Sequence, residues 1–252
     1  MRDNYDYRLL MDTAILAGEI MLRNGAETYR VEDTVFKMLE TGKCKHTQVV
    51  ALITSISATI SNPDMDALTV VRRIRERGTN LNKVYLVNNV SREFCRGTID
   101  LKTAFRRLKE IRNMTEYPAI AKRIAAVLIV PLFVMLLGGA FYDVLTGLVN
   151  GFVLMGVVYL CDRVELNAFV REIIASACVA GFASLVSLKR GGIDMEVIII
   201  SSIMPMVPGV AITNAIRDTL QGDYMSGVAR VLEAFAKALS IALGVYVGLW
   251  VL

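Results

Sequence analysis

The second half of the chain contains five apolar runs, each close to the length that a helix needs to cross a bilayer. A membrane span takes about 20 apolar residues. The runs lie at residues 124–141, 144–161, 169–188, 197–216 and 228–252. One amphipathic helix from a soluble core could imitate one span, but five in succession could not. The sequence therefore predicts an α-helical membrane protein with five transmembrane helices.

The charged residues are concentrated in the first half of the chain. Of the 28 Lys and Arg residues, 19 lie in residues 1–118, as do 15 of the 24 Asp and Glu residues, so this half carries the whole formal charge of +4 (19 − 15). We predict a boundary near Pro118, with a water-facing domain at residues 1–117 and a membrane domain at residues 118–252. Because the basic residues form no long tract, their excess is typical of membrane topology, and nucleic acid is not an expected partner.

The first half changes between helical and strand patterns. Apolar residues recur at helical spacing in residues 7–22 and 27–39, whereas residues 46–60 interleave Thr and Ser with Val and Ile. Residues 67–74 could form a partner strand after the turn Asn62-Pro63-Asp64. Asn80 and Asp100 can cap two more helices, at residues 81–95 and 100–112. The order helix–helix–strand–strand–helix–helix predicts a small α+β domain.

The cations mark the orientation of the predicted spans. One side of the membrane collects most of those next to the spans: Lys122, Arg123, Arg163, Arg171, Arg217 and Arg230. Only Lys189 and Arg190 fall on the opposite side. By the positive-inside bias the N-terminal domain is cytoplasmic, and five spans place Leu252 outside. The first residues lack the apolar core of a signal peptide, so we expect the first domain to stay in the cytoplasm. With the predicted spans, we expect a multi-pass protein of the cell membrane.

The fourth apolar run is interrupted. Pro205, Pro208 and Gly209 lie within a charge-free stretch from residue 197 to residue 216. Each proline removes a backbone donor and pushes the preceding residue out of helical geometry. In hydrocarbon the freed backbone groups must be satisfied by protein or by a watery cavity, and a broken membrane helix is typical of a transport site. We predict that the fourth span is broken between Pro205 and Gly209.

Polar and charged residues follow this break. Asn214 and Asp218 are four residues apart and share a helical face, while Arg230, Glu233 and Lys237 share another. An ionisable group within a span costs at least about 2.5 kcal/mol on insertion scales, so it usually faces a partner or a cavity. Asp218 is either an ordinary charge at a loop edge or part of a substrate or ion pathway. For Glu233 and Lys237, a structural ion pair between helices is the alternative.

Asn150 is the polar residue of the second span and lies between two glycines. The spacing Gly147-x-x-x-Gly151 is typical of close helix packing. A contact between Asn150 and a ligand is the alternative interpretation.

A charged segment connects the first two predicted helices. Gly25 can end the first helix in a left-handed conformation. Glu27, Arg30 and Glu32 then fall in the first turns of the second helix. Glu27 and Arg30 are spaced for a solvated intrahelical ion pair. Alternatively, these residues form a cytoplasmic lip of a substrate pathway.

The motifs of common enzymes and metal sites are missing from the sequence. It contains no GxSxG, no HExxH and no phosphate-binding glycine loop, and His46 is the only histidine. The four cysteines form no CxxC pair. We therefore predict no enzymatic activity, no metal and no cofactor.

The two motif segments together resemble the threonine/serine exporter family. They are Asn24-Gly-Ala-Glu-Thr-Tyr-Arg-Val-Glu32 and Pro205-Met-Val-Pro-Gly209 through Asp218, Gly222, Gly227, Arg230 and Glu233. The chain is most similar to the split form, in which a longer subunit with an N-terminal domain pairs with a short multi-span membrane subunit. The resemblance implies export of threonine and serine, or of dicarboxylates such as succinate, driven by an ion gradient. It also implies a hetero-oligomer, with self-association as a further alternative.

Within that function the charged residues have separate predicted roles. Arg230 is the candidate for holding a substrate carboxylate, because its planar fork can bind both oxygens. Asp218 is the first candidate for a carboxyl that couples transport to a proton gradient, and Glu233 is the second. The predicted pathway is completed by residues of the second and fourth spans: Asn150, Pro205, Pro208, Gly209 and Asn214.

A second function remains open at this point. The chain could be a membrane-tethered regulator whose α+β domain senses a cytoplasmic ligand without transport. The interrupted fourth span favours transport, because a tether needs no helix break at membrane depth.

Overall fold

The computed structural model describes residues 6–63, 65–115 and 117–250. These residues group into two compact units. The first unit lies within residues 1–114 and 210–232, and the second unit lies within residues 115–209 and 233–252. The division into domains at residue 117 stays a prediction, and the grouping of residues 210–232 with the N-terminal elements was not expected.

The N-terminal elements are two helices, a three-stranded sheet and two further helices. In chain order they are α1 (Tyr7–Arg23), α2 (Thr28–Glu40), β1 (His46–Leu52), β2 (Ser55–Asn62), β3 (Met65–Arg73), α3 (Leu81–Cys95) and α4 (Leu101–Asn113). The Asn80 side chain accepts a hydrogen bond from the Lys83 amide, and Asp100 does the same for the Thr103 amide. Both predicted N-caps are therefore confirmed, because each satisfies an amide that the first helical turn leaves open.

The strand prediction was wrong in number. Residues 46–60 do not form one strand but fold back at Ile53 and Thr54, so that Leu52 of β1 pairs with Ser55 of β2. Nothing in the residue types of Ile53 and Thr54 signals a tight turn, since neither is Gly, Pro, Asn or Asp. The sheet is antiparallel in the order β1-β2-β3.

The core of the first unit is formed by the helices α1 to α4 and one face of this sheet. Ile56, Ala58 and Ile60 alternate along β2 and are buried, as the period of two requires. α1 is buried along almost its whole length from Leu10 to Leu22. This apolar core fixes the end of α1 and the beginning of α2, where the charged segment lies.

The remaining elements are mostly long apolar helices. They are α5 (Ala119–Leu136), α6 (Phe141–Arg163), α7 (Ala168–Lys189), α8 (Met195–Ile203), a 3₁₀ turn (Met204–Met206), α9 (Gly209–Leu220) and α10 (Tyr224–Trp250). The predicted first span ended at residue 141, but α5 ends at Leu136, where Gly138 turns the chain with φ +85°. The break in the fourth run begins at Met204, and Gly209 is already the first residue of α9.

Three of the described helices, α6, α7 and α10, are long and apolar enough to cross a membrane. A fourth span results if the bent pair of α8 with its 3₁₀ turn and α9 counts as one. The described part of the chain is thus mainly helical, with three or four candidate membrane spans and a small antiparallel sheet. Five spans stay a prediction.

Close helix packing holds the second unit together. A Cβ added to Gly151 of α6 would lie 2.7 Å from the Val127 carbonyl oxygen of α5, and one on Gly147 would lie 2.8 Å from a methyl group of Val134. These approaches confirm the packing interpretation of the Gly147-x-x-x-Gly151 spacing. In α10, Gly244 and Gly248 lie equally close to the backbone of α7.

Candidate functional site

The side chain of Asp218, a residue of α9, contacts the first residue of α2. Its side chain is fully buried, with Oδ1 accepting from the Thr28 amide at 3.0 Å and Oδ2 from the Thr28 hydroxyl at 3.1 Å. Glu27, at the N-cap position of α2, makes no capping bond with its own side chain. Asp218 therefore supplies, from 190 residues away, the acceptor that an N-cap normally provides, at the helix end that favours negative charge.

Arg230 of α10 faces the same carboxylate. Its Nε lies 2.8 Å from Asp218 Oδ2, although without the alignment of a hydrogen bond. Its Nη2 donates to the Ala26 carbonyl oxygen at 2.9 Å. Only 8% of Arg230 is exposed. Because removing two charges from water is costly, such a buried pair is weak evidence for stability.

Asn214 lies one helical turn before Asp218 in α9, and its side chain binds the loop between α1 and α2. Its Nδ2 donates to the Gly25 carbonyl oxygen at 2.8 Å. Gly25 has φ +85°, the left-handed conformation expected at the end of α1. The carbonyl groups of two successive residues, Gly25 and Ala26, are thus bound by side chains of α9 and α10.

The carboxylate of Glu27, next to this loop, pairs with two arginines. Its Oε1 accepts from Arg217 Nη1 at 2.5 Å and its Oε2 from Arg30 Nη1 at 3.2 Å. Burial alone would raise the pKa of Glu27, but the bond from Arg217, the backbone amide and Arg30 outweigh it, so the pKa is lowered. Glu27 is accordingly held as a carboxylate between two guanidinium groups.

Glu32 points to a different part of the first unit. Its Oε1 accepts from the Ala51 amide at 2.7 Å, which ties α2 to β1. Burial raises the pKa of Glu32, the Ala51 amide opposes this shift, and the charge of Asp223 adds to it. Burial, and then the charge of Asp218, also raise the pKa of Asp223 in the loop after α9.

The structure brings six of the predicted site residues into one cluster of the first unit: Gly25, Glu27, Arg30, Asn214, Asp218 and Arg230. We call this set, together with Ala26, Thr28 and Arg217, the loop cluster. Sequence reasoning missed these last three residues. The sequence held a sign of two of them, since Thr28 is the first residue of a helix and Arg217 directly precedes Asp218. Ala26 takes part only through its backbone carbonyl group, so its residue type gave no sign.

The other predicted residues lie outside the loop cluster. Pro205 lies in the 3₁₀ turn, Pro208 follows it, and Gly209 begins α9. Glu233 lies in the second unit, where its Oε1 is 3.7 Å from Lys237 Nζ.

Asn150 organises a neutral polar cluster in the second unit. It is fully buried, and its Nδ2 donates to the Val179 carbonyl oxygen at 3.1 Å and to the Ser202 hydroxyl at 2.8 Å. Among the described residues, Asn150 Oδ1 and the Ser201 hydroxyl are buried without a hydrogen-bond partner. Both serines belong to the last turn of α8, directly before the 3₁₀ turn.

In the part of the chain that the structure describes, no group of three or more His, Cys, Asp or Glu residues could hold a metal ion. The loop cluster contains a buried pair of opposite charges, Asp218 and Arg230. The carboxylate of Asp218 and the guanidinium of Arg230 face each other away from water. The carboxylate could pair with another cation, and the guanidinium could pair with another carboxylate.

Comparison with known proteins covers nearly the whole chain. The family model described as "Putative threonine/serine exporter" matches residues 12–252. A Mycobacterium tuberculosis (strain ATCC 25618 / H37Rv) protein named "Probable threonine/serine exporter" is 21% identical over 98% of this chain and 47% of its own length. The chain thus spans about half the length of this relative, and no solved structure matches it. Because the matched region includes both segments that build the loop cluster, the chain belongs to the threonine/serine exporter family.

Proposed function

We propose that the chain is a subunit of a secondary exporter that moves small amino acids such as threonine and serine, or small dicarboxylates, out of the cell. The observation that supports this proposal is the buried contact of Asp218 with both Thr28 and Arg230. It joins the two motif segments that carry the family resemblance.

Transport would use an exchange of partners at Arg230. With Asp218 ionised, the guanidinium is held by the protein's own carboxylate, and its planar fork is partly occupied. A proton taken up by Asp218 removes the negative charge, which frees Arg230 to bind the carboxylate of a substrate with charge-assisted hydrogen bonds. Release of the proton restores the internal pair and displaces the substrate. Proton binding and carboxylate binding are thereby coupled, so that the proton and the substrate would move in the same direction, and Glu233 is the second candidate for the coupling carboxyl.

The membrane path would involve the broken fourth span. The α-helical geometry stops at the 3₁₀ turn Met204–Met206, which contains Pro205 and ends two residues before Pro208. Freed backbone groups at membrane depth are tolerated where they line a cavity. Asn150 binds Ser202 of the helix that leads into the break. We place the pathway along Asn150, Pro205, Pro208, Gly209 and Asn214, within five spans.

The active exporter would contain a second subunit. The proposed partner is a short multi-span membrane protein, as in the split form of the family that the two motif segments resemble. Self-association of this chain is the alternative.

In the cell membrane, the domain at residues 1–117 would face the cytoplasm and Leu252, which lies outside the described residues, would face the exterior. Arg123 and Arg163 both lie over the ring of Tyr159 at one end of α6, at 4.8 and 5.1 Å from its centroid. Arg190 lies over Tyr142 at the other end. The end with more cations is the expected cytoplasmic side.

The experiment is efflux from preloaded vesicles that contain the chain and a short partner subunit, across a range of imposed pH gradients. Asp218→Asn should retain substrate binding but respond weakly to the gradient. Arg230→Lys should weaken binding despite its charge, because Lys lacks the bidentate fork. The matched control is Asp33→Asn, which removes an exposed carboxylate of α2 that pairs with Lys37.

A transporter also requires that substrate binding depend on the membrane helices. If Asp218→Asn and Glu233→Gln both respond to the gradient as the unaltered chain does, the coupling site lies elsewhere. Wild-type vesicles that bind a ligand but export nothing under any gradient would favour the regulator over the exporter.

A further inference from the structure

The first unit contains a small open cavity that none of the roles above uses. Its volume is about 260 Å³. It lies at the end of α1 and is lined by Ile20, Arg23, Asn24, Glu76, Arg77, Gly78, Lys83 and Arg112. Four of these residues are cationic and one is anionic, so the lining carries a strong excess of positive charge.

One of these cations has unused hydrogen-bonding capacity. Arg23 places Nη2 3.1 Å from Glu19 Oε1. Its Nε is buried and, among the described residues, has no hydrogen-bond partner. A buried donor without an acceptor costs free energy that a bound anion could recover.

Three hydrogen bonds join the segments that form the walls of the cavity. The Gly78 amide donates to the Arg23 carbonyl oxygen at 2.8 Å, and the Asn80 amide donates to the Asn24 carbonyl oxygen at 3.0 Å. Lys83 Nζ donates to the Arg112 carbonyl oxygen at 3.1 Å. Three separate segments are thus held in place around a preformed space that the four cationic residues line.

We propose that this cavity binds a small organic or inorganic oxyanion that carries two or more negative charges. The volume equals that of roughly nine water molecules at about 30 Å³ each, which suits a phosphate or a small polycarboxylate. Guanidinium groups bind such oxygens in a fixed planar geometry, and multiple charges are needed to offset several cations.

The site is placed to affect the loop cluster without being part of it. The residues bonded to the cavity wall, Arg23 and Asn24, directly precede Gly25, whose carbonyl group binds Asn214. An anion that holds Arg23 and Arg77 together would stiffen this turn. The binding itself does not depend on whether the chain transports anything.

The test is isothermal titration of the full chain in detergent with citrate and with inorganic phosphate, at constant ionic strength set with chloride. Both anions should bind saturably, and the double variant Arg77→Gln/Arg112→Gln should lose affinity by about ten-fold or more. The matched control, Arg75→Gln/Arg96→Gln, removes the same charge from exposed arginines outside the cavity and should change affinity by less than about two-fold.

Hydrogen exchange locates the bound anion. Citrate should slow exchange of the amides in residues 76–80 in the unaltered chain and not in the Arg77→Gln/Arg112→Gln variant. Absence of saturable binding by either anion would overturn the proposal. So would equal losses in the two double variants, since that result would show attraction to bulk charge rather than binding in the cavity.

Discussion

The two units of the molecule join distant segments by different physical means. In the first unit, buried charge is matched with buried charge, as Asp218 meets both a helix end and Arg230. In the second unit, Gly147 and Gly151 allow α5 and α6 to approach closely, and the Asn150 cluster is neutral.

Two buried aspartates make the contrast concrete. Asp143 of the second unit accepts from the amides of Ala140 at 2.8 Å and Asp194 at 3.0 Å, so its donors are fixed backbone groups. Asp218 also accepts from a backbone amide, but its second oxygen faces the guanidinium of Arg230, which lies at the end of a long side chain. A backbone amide stays where the fold puts it, whereas an arginine can change partners. Asp143 therefore belongs to the fixed architecture, whereas Asp218 is the carboxylate for which we propose an exchange of partners.

The largest effect should come from removing the charge of Asp218. Asp218→Asn leaves Arg230 buried without a counter-charge, which should destabilise the fold by about 3–5 kcal/mol. Asp143→Asn, which loses part of a helix cap, should cost only about 1 kcal/mol. Denaturant unfolding in detergent measures both.

A double variant separates charge from packing at this site. In Asp218→Asn/Arg230→Gln the stranded charge is gone, so a substantial part of the stability should return. If the double variant is as unstable as the sum of the single changes, the two side chains are not energetically coupled and the comparison between the units fails.

The sequence predicted much of this architecture and little of its connections. The helix at residues 81–95 matches α3, and the caps Asn80 and Asp100 are local signals that depend on neighbouring residues alone. The fold-back at Ile53 and Thr54 was missed because these residue types do not mark a turn.

The members of the loop cluster could be named from the sequence, but their contacts could not. Asp218 and Arg230 stand out as charges next to apolar runs, yet their partners Thr28 and Ala26 lie about 190 and 204 residues away in sequence. Tertiary packing brings them together, and Ala26 contributes a carbonyl group that every residue has. Arg230 was predicted to hold a substrate carboxylate, and in the structure its Nε faces the carboxylate of Asp218.

Packing in the second unit can be tested with glycine substitutions in two helices. A Cβ on Gly244 would overlap the Ser176 hydroxyl and the Ile173 carbonyl oxygen of α7. Gly244→Ala should therefore destabilise the fold by about 1–3 kcal/mol. At Gly156 of α6 an added Cβ would meet nothing within 4 Å, so Gly156→Ala should stabilise the helix by up to about 1 kcal/mol. Thermal unfolding that shows the same sign for both variants would contradict close packing as the cause.

A smaller effect should distinguish the two adjacent buried serines of α8. Ser202 accepts from Asn150 Nδ2 and donates to the Ile198 carbonyl oxygen at 2.7 Å. Ser202→Ala should cost about 1 kcal/mol, because one donor of Asn150 then loses its acceptor. Ser201→Ala removes a hydroxyl that has no hydrogen-bond partner among the described residues, so its effect should be close to zero or stabilising. Equal losses of stability in the two variants would show that the hydrogen bond between Asn150 and Ser202 does not help to hold the second unit together.

The smallest expected effect is the pH dependence of stability that arises from two glutamates, one at the N-cap of α2 and one within this helix. The pKa of Glu27 is lowered from its ordinary value of 4.5, so its contribution to stability is present above that value and is lost as the pH falls. The pKa of Glu32 is raised, so its contribution is present below 4.5 and is lost as the pH rises through the folded-state value. At pH 7 Glu27→Gln should therefore destabilise the fold, while Glu32→Gln should stabilise it, and Gln can still accept from the Ala51 amide. Both differences should shrink as the pH approaches 4. Unfolding measured from pH 4 to pH 8 tests this reversal, and two variants that change stability in the same direction at pH 7 would show that the arginines around Glu27 do not set its charge state.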